Sequence, residues 1–357
     1  MKRVGIITIV DNNNYGNRLQ NLAVTEVFRR MGYHPETLVL NPRKGSSKYA
    51  LRAARMVVTP LIKGVERLCR EPSTAKRIRR FKAFNQDNGF VIRYLPVWTY
   101  RIRKKYAYFV VGSDQIWNPN MDYGYGTEFL AFADRNQRVC FSPSFGVKCI
   151  PNHKREQYID GLNGIPYISV RENGGARLVN ELTGKEAEVL IDPTMMLDAG
   201  EWEKIEKKPS FLPTNQKYMF EYFLGGCSEQ TEAFLRQTAE REDLIRINPL
   251  DKYSEAYCID PAEFLYLIHH ANQITTDSFH ACVFSALFGK PFSVWERIGQ
   301  AGMGDRIVTL LGMLKAEQTA ELPDGGRTFQ TKRYTVQEIL KCERQRVLAF
   351  LEKSMGR

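Results

Sequence analysis

Short runs rich in β-branched and aromatic residues recur along the chain, and helix-length amphipathic segments separate them. The runs fall at residues 4–10, 37–40, 107–111, 139–142, 166–170 and 189–191. A second series follows at 218–223, 244–247, 273–276 and 291–294. Between several of them apolar residues return about every 3.6 positions, as in 19–31, 261–269 and 279–288, the spacing of one helix face. Strands joined by helices form parallel sheets covered on both faces, so the chain is expected to be α/β. The run 204–216, with Lys207-Lys208-Pro209 and Pro213-Thr214, separates the two series and is the best linker candidate. The expected layout is a Rossmann-like domain over 1–200 and a second over 217–330, facing each other across a cleft. A long terminal helix is expected within 335–357.

Composition narrows this further. Of 357 residues, 43% are hydrophobic and 25% charged, which excludes disorder, collagen-like repeats and coiled coil as the main architecture. Apolar runs such as 56–62 fall far short of the roughly 20 residues that span a bilayer. Met1-Lys2-Arg3 before an apolar run resembles a leader, but Asp11-Asn12-Asn13-Asn14 ends the run with no small-residue cleavage site. It reads as the buried first strand of a cytoplasmic protein. The seven cysteines are odd in number and show no C-x-x-C spacing, so neither a disulfide framework nor a metal site is indicated. Residues 41–105 carry 18 Lys/Arg against three acids, a net +15, whereas the whole chain carries +11. This basic insertion, 43–105, is expected to be helical in part, with Ile78, Phe81 and Phe84 at i, i+3 and i+6. It is either a solvated insertion or a surface for anions, such as a phosphorylated acceptor or the inner face of an anionic membrane. It carries no recognisable nucleic-acid motif.

In open parallel sheets, ligands bind beyond the carboxyl ends of the strands. The segments there are polar, and three of the six contain a glycine. They are Asp11 to Arg18, Gly112-Ser113-Asp114-Gln115-Ile116-Trp117, Ser144-Phe145-Gly146, Arg171-Glu172, Asp192-Pro193-Thr194 and Asp277-Ser278-Phe279-His280. None is a G-x-G-x-x-G fingerprint, a P-loop, a nucleophile elbow or a metal-ligand set. Asn14 to Asn17 can be a strand-to-helix turn with an Asn cap or part of a site. Trp117 can stack on a sugar face or fill the core. Asp192-Pro193 can simply stop a strand. Ser278 can cap a helix starting near Phe279, whose free N–H groups favour an anion. His280 then lies in the first turn, where its charge state is open to tuning. Arg171 can grip a carboxylate or phosphate, or pair with Glu172.

In series, these loops resemble the polysaccharide pyruvyl transferase family. The matching pieces are Asn14-Tyr15-Gly16-Asn17-Arg18-Leu19-Gln20, Gly112 to Pro119, Ser144-Phe145-Gly146, Ser169-Val170-Arg171-Glu172, Asp192-Pro193-Thr194 and Thr276-Asp277-Ser278-Phe279-His280. They follow the family's order between about residues 4 and 315. Ala281-Cys282 stands where a Gly-Thr pair is common, a departure that bears on substrate preference. The resemblance implies a fold similar to GT-B glycosyltransferases. It also implies transfer of a pyruvyl group from phosphoenolpyruvate to two sugar hydroxyls, giving a cyclic ketal and phosphate, with no nicotinamide or flavin cofactor. Arg171 and His280 carry over most directly. On this reading His280 is general acid or phosphate ligand, and Asp114 is the acceptor-side base. Arg171, Asp277, Ser278, Phe279, Asn14, Gly16, Asn17 and Trp117 bind substrate. The acceptor is a free sugar, or a polymeric or lipid-linked glycan. A GT-B-type nucleotide-sugar glycosyltransferase and a non-catalytic glycan- or lipid-phosphate-binding protein are the competing readings.

Overall fold

In the computed structural model, the described residues are 1–41, 72–96, 100–121, 126–299 and 304–356. Most of the basic insertion, 42–71 and 97–99, therefore lies outside them. Strands β1 (Arg3–Ile7), β2 (His34–Asn41), β3 (Ile92–Pro96), β4 (Tyr108–Gly112) and β5 (Arg138–Phe141) form one parallel sheet in the order 3-2-1-4-5. A short parallel pair, β6 (Ser169–Val170) and β7 (Glu188–Val189), lies beside β5. There Ser169 Oγ donates to the Cys140 carbonyl and accepts from the Ser142 N–H.

The second sheet is built from β8 (Tyr218–Tyr222), β9 (Ile245–Ile247), β10 (Gln273–Thr276), β11 (Phe292–Val294), β12 (Glu317–Glu321) and β13 (Arg327–Gln330). Its order is 12-13-11-10-8-9. Strands 9, 8, 10 and 11 run parallel, and the β12–β13 hairpin closes the edge antiparallel.

Both sheets reverse their winding at one point, between β1 and β4 in the first and between β8 and β10 in the second. Such switch points open crevices at the carboxyl ends of the strands. Helix α1 (Tyr15–Arg30) begins at the first, where Asn14 takes an extended backbone and its side chain accepts from the Asn17 N–H, as N-caps do. At the second, Asp277 accepts from the N–H groups of Leu224 and Gly225, tying the loop after β8 to that after β10.

The two halves share their largest hydrophobic cluster, which runs from Val4 and Ile6 through Tyr15 to Phe264 and Leu351. Tyr15 stacks on Phe264 at 4.5 Å between ring centroids. Helix α2 (Pro72–Asp87) bridges the halves, and Phe81 and Phe84 on it are buried, as their spacing predicts. The helices that follow are α3 (Arg155–Asn163), α4 (Asn173–Thr183), α5 (Ala199–Glu203), α6 (Glu229–Arg241), α7 (Pro261–His269), α8 (Phe279–Leu287), α9 (Gly304–Met313) and α10 (Arg333–Ser354). Helix α10 returns to the first half, where the Tyr108 hydroxyl donates to the Met355 carbonyl at 2.6 Å. No described helix is long and apolar enough to cross a membrane.

Candidate active site

Five of the strand-end loops converge where the switch points meet. Asp192 is the hub. Its Oδ1 accepts from the Thr194 N–H and hydroxyl, and its Oδ2 accepts from Ser113 Oγ and Arg171 Nη1, both at 2.7 Å. His280, at the start of α8, brings Nε2 to 3.8 Å from the same Oδ2. Asp114 turns through the left-handed region at φ +56°, which Asp tolerates better than most residues. Its carboxylate meets Arg171 Nη2 and Asn17 Nδ2, each at 3.3 Å. Arg171 also lies 4.4 Å from the centre of the Phe279 ring and 3.8 Å from Glu172.

Burial and charge oppose each other here. Burial pushes the Asp192 carboxyl up, but His280, Arg171 and the Thr194 donors outweigh it and hold it at about 2. Asp114 is likewise lowered, because Arg171, His280 and Arg306 overcome its burial. Burial pushes His280 below its ordinary value despite the attraction of Asp192 and Asp114. Burial and the nearby Arg171 push the Arg306 guanidinium down to about 9. Two carboxylates and two guanidiniums thus surround an imidazole biased toward its neutral form.

Packing rather than hydrogen bonding holds the imidazole. Its Nε2 is buried and hydrogen-bonds to no described residue. The ring lies flush on Gly16, where a Cβ would sit 2.2 Å from Nδ1. Glycine is needed at position 16 for that close approach.

A cavity of about 120 Å³ opens at this junction. The first half contributes Ile9, Asp11, Asn14, Asp114 and Gln115, and the second Leu224, Ser278, Phe279, His280, Arg297 and Arg306. Several expected roles change as a result. Trp117 is fully buried against Phe129 and Phe145 and donates from Nε1 to the Glu128 carbonyl. It fills the core and has no ring face open to a sugar. The Arg171 side chain has no exposed surface, so it holds Asp114 and Asp192 in place instead of lining the cavity. Asn17 is fully buried and joins Asp114 to the loop after β1. Asp277 is committed to two backbone N–H groups and to Arg297.

The guanidiniums that do reach the cavity belong to Arg297 and Arg306. Sequence reasoning missed both, because neither lies in a motif. Asp192 had a signal, its Asp-Pro-Thr motif after a strand, but it was open to reading as a strand stop. Among the described residues, Glu206, His269 and His270 are the only group placed to share a metal ion. They lie outside this cavity.

Two Rossmann-like sheets, with charged residues where their switch points oppose, define the class as an α/β protein of two Rossmann-like halves meeting at one cavity. A family model described as polysaccharide pyruvyl transferase matches residues 14–294, and the chain belongs to that family. Among solved structures, the UDP-GlcNAc 2-epimerase from Neisseria meningitidis bound to UDP-GlcNAc aligns with a TM-score of 0.46 at 9% identity, over 99% of this chain and 94% of that one. The UDP-GlcNAc 2-epimerase from Methanocaldococcus jannaschii aligns with a TM-score of 0.46 at 12% identity, over 95% and 99%. A glycosyltransferase from Rickettsia africae ESF-5 aligns with a TM-score of 0.45 at 9% identity, over 99% and 95%. No protein of curated function matches the chain in sequence.

Proposed function

We propose that the chain transfers the pyruvyl group of phosphoenolpyruvate to two hydroxyls of a sugar, forming a cyclic ketal and releasing phosphate. One observation carries the reading: His280, Arg297 and Arg306 line one small cavity with the start of a nine-residue helix. The donor bears a phosphate and a carboxylate. Guanidiniums and a helix N-terminus are the groups that hold such anions in a partly dry site.

The steps balance as follows. A proton adds to the methylene carbon of the donor, leaving positive charge on the carbon that carries the phosphate. The first sugar hydroxyl adds there and gives up its proton. The second hydroxyl then displaces phosphate, which carries away that hydroxyl's proton, and closes the ketal. His280 delivers the first proton, since an incoming anion raises the proton affinity of an imidazole that burial holds low. Asp114, held ionised at the cavity wall, takes the proton of the attacking hydroxyl. Arg171 acts through Asp114 and Asp192 as a positioning residue. The reaction calls for no nicotinamide, flavin or metal. The acceptor is a sugar of a glycan or its precursor, and the net +15 of residues 41–105 would favour peripheral contact with an anionic surface.

The test is phosphate release from phosphoenolpyruvate over a panel of hexose acceptors, with donor affinity measured separately. His280→Gln should lower turnover by about 10²–10⁴ while donor affinity changes little. Equal loss in affinity and turnover would make His280 a phosphate ligand only. Wild-type kinetics in this variant would refute the reading.

A further inference from the structure

We propose that a second, larger cavity beside the site binds a nucleoside diphosphate, so that the acceptor sugar arrives in nucleotide-activated form. The cavity measures about 350 Å³. That is within the size range of small-molecule sites, roughly 300–1,000 Å³, and far more than the donor fills. It lies between the end of β11, helix α9 and the β12–β13 hairpin. Arg297 lines both cavities, so an occupant of the larger one abuts the reacting centre.

The chemistry of the lining selects the occupant. Val294, Ile307, Leu311, Ala316 and Phe329 give an apolar floor suited to a planar heterocycle. Arg297, Lys315 and Arg327 supply three cations against Glu296 and Asp277, and Asp277 is already committed to backbone N–H groups and Arg297. The cation excess matches a diphosphate. Glu296, when ionised, only accepts hydrogen bonds. It repels bare phosphate and matches the paired hydroxyls of a ribose. A polyprenyl-diphosphate sugar also places hydroxyls beside its phosphates, but it offers no planar heterocycle for the apolar floor, and its chain exceeds a cavity of this volume. The inference rests on the pyruvyl-transfer reading only for the fate of the sugar.

Gly312 provides the test. It lines the cavity, and a Cβ there meets nothing within 4 Å, so Gly312→Phe places a bulky side chain at the cavity wall with no clash at its Cβ. UDP, GDP and inorganic pyrophosphate are titrated calorimetrically into the full chain, and phosphoenolpyruvate separately. UDP or GDP should bind at least tenfold more tightly than pyrophosphate. Gly312→Phe should lose at least tenfold of that affinity while keeping its Tm and its donor affinity. With a UDP- or GDP-hexose as acceptor, phosphoenolpyruvate should release phosphate and leave its pyruvyl group on the intact nucleotide sugar. No nucleotide binding alongside intact donor binding would overturn the inference and leave the pyruvyl-transfer reading standing. The inference also fails if turnover of a polyprenyl-diphosphate hexose survives Gly312→Phe and UDP or GDP does not compete. Nucleotide binding without phosphate release from any acceptor would instead refute pyruvyl transfer and keep the nucleotide site.

Discussion

Gly16 ties the first turn of α1 to the imidazole of His280 through the absence of a side chain. A Cβ there would lie 2.2–2.8 Å from Nδ1, Cγ and Cβ of His280, so one of the two must move. Alanine also favours a helix by about 1 kcal/mol over glycine. Gly16→Ala should therefore stay folded, with a Tm within a few degrees of wild type. Its turnover should fall on the order of 10²-fold, because misplacing a reacting group by about 1 Å costs that much. Steady-state phosphate release beside a thermal melt checks this, and unchanged turnover would mean that His280 tolerates displacement. At this scale the motif residues Asp114, Arg171 and His280 were legible as candidates, since each sits in a short polar signature after a strand, whereas the Asp192 signature read equally as a strand stop. Their division of labour was not. Arg171 reads as an exposed anion grip until the fold surrounds it with three carboxylates. Arg297 and Arg306 acquire meaning only from the cavity they reach.

At the scale of elements, α2 shows charge being used for assembly. Its composition reads as a basic surface, but Arg77 is buried against the rings of Tyr15 and Tyr257. It donates to the carbonyls of Asn13, Pro249 and Tyr257. Arg80 pairs with Asp260 at 3.1 Å and Glu263 at 2.7 Å. Arg79 on the same helix is exposed, but Arg77 and Arg80 are committed to these contacts and are not available to a membrane. Arg77→Ala leaves several carbonyls without donors and should cost at least roughly 1–3 kcal/mol, whereas Arg79→Ala should stay within about 0.5 kcal/mol. Urea denaturation of both variants measures the difference, and equal stabilities would remove the bridging role. Strands β3, β12 and β13 escaped the sequence reading. Glu317–Glu321 is exposed at every position, so no burial pattern marks it, and its pairing partner alone makes it a strand.

For the whole molecule, the charged junction couples acid stability to the meeting of the two halves. Asp192 sits at about 2 in the fold against an ordinary 3.8. Its contribution is therefore complete above about 3.8 and is lost as pH falls toward 2. That is on the order of 2 kcal/mol. His280 is also lowered, so its contribution is present above its ordinary 6.5 and declines as the imidazole charges below that. Glu172, raised by burial, acts in the opposite sense. Thermal stability should thus decline below pH 6.5 and again below pH 4. In Asp192→Asn the second decline should shrink, on top of a lower Tm at neutral pH from the lost charge pair with the buried Arg171. Melts across pH 3–8 test this, and a pH 3–4 slope unchanged in Asp192→Asn would show that this junction does not set acid stability.

Periodicity and punctuation in the sequence suffice for the α/β class, for ten of the thirteen strands among the described residues, and for the polar loops that end them. These are local properties: backbone preference, burial period and turn chemistry act over a few residues, and so can be read from a few residues. The same sequence leaves open which loops meet. That Gly16 lies against His280, that Arg171 is enclosed, and that Arg297 and Arg306 open on the cavity depend on two switch points brought face to face across a shared core. Desolvation and charge pairing, which set what these side chains can do, arise from contacts between residues up to 264 positions apart, as between Gly16 and His280.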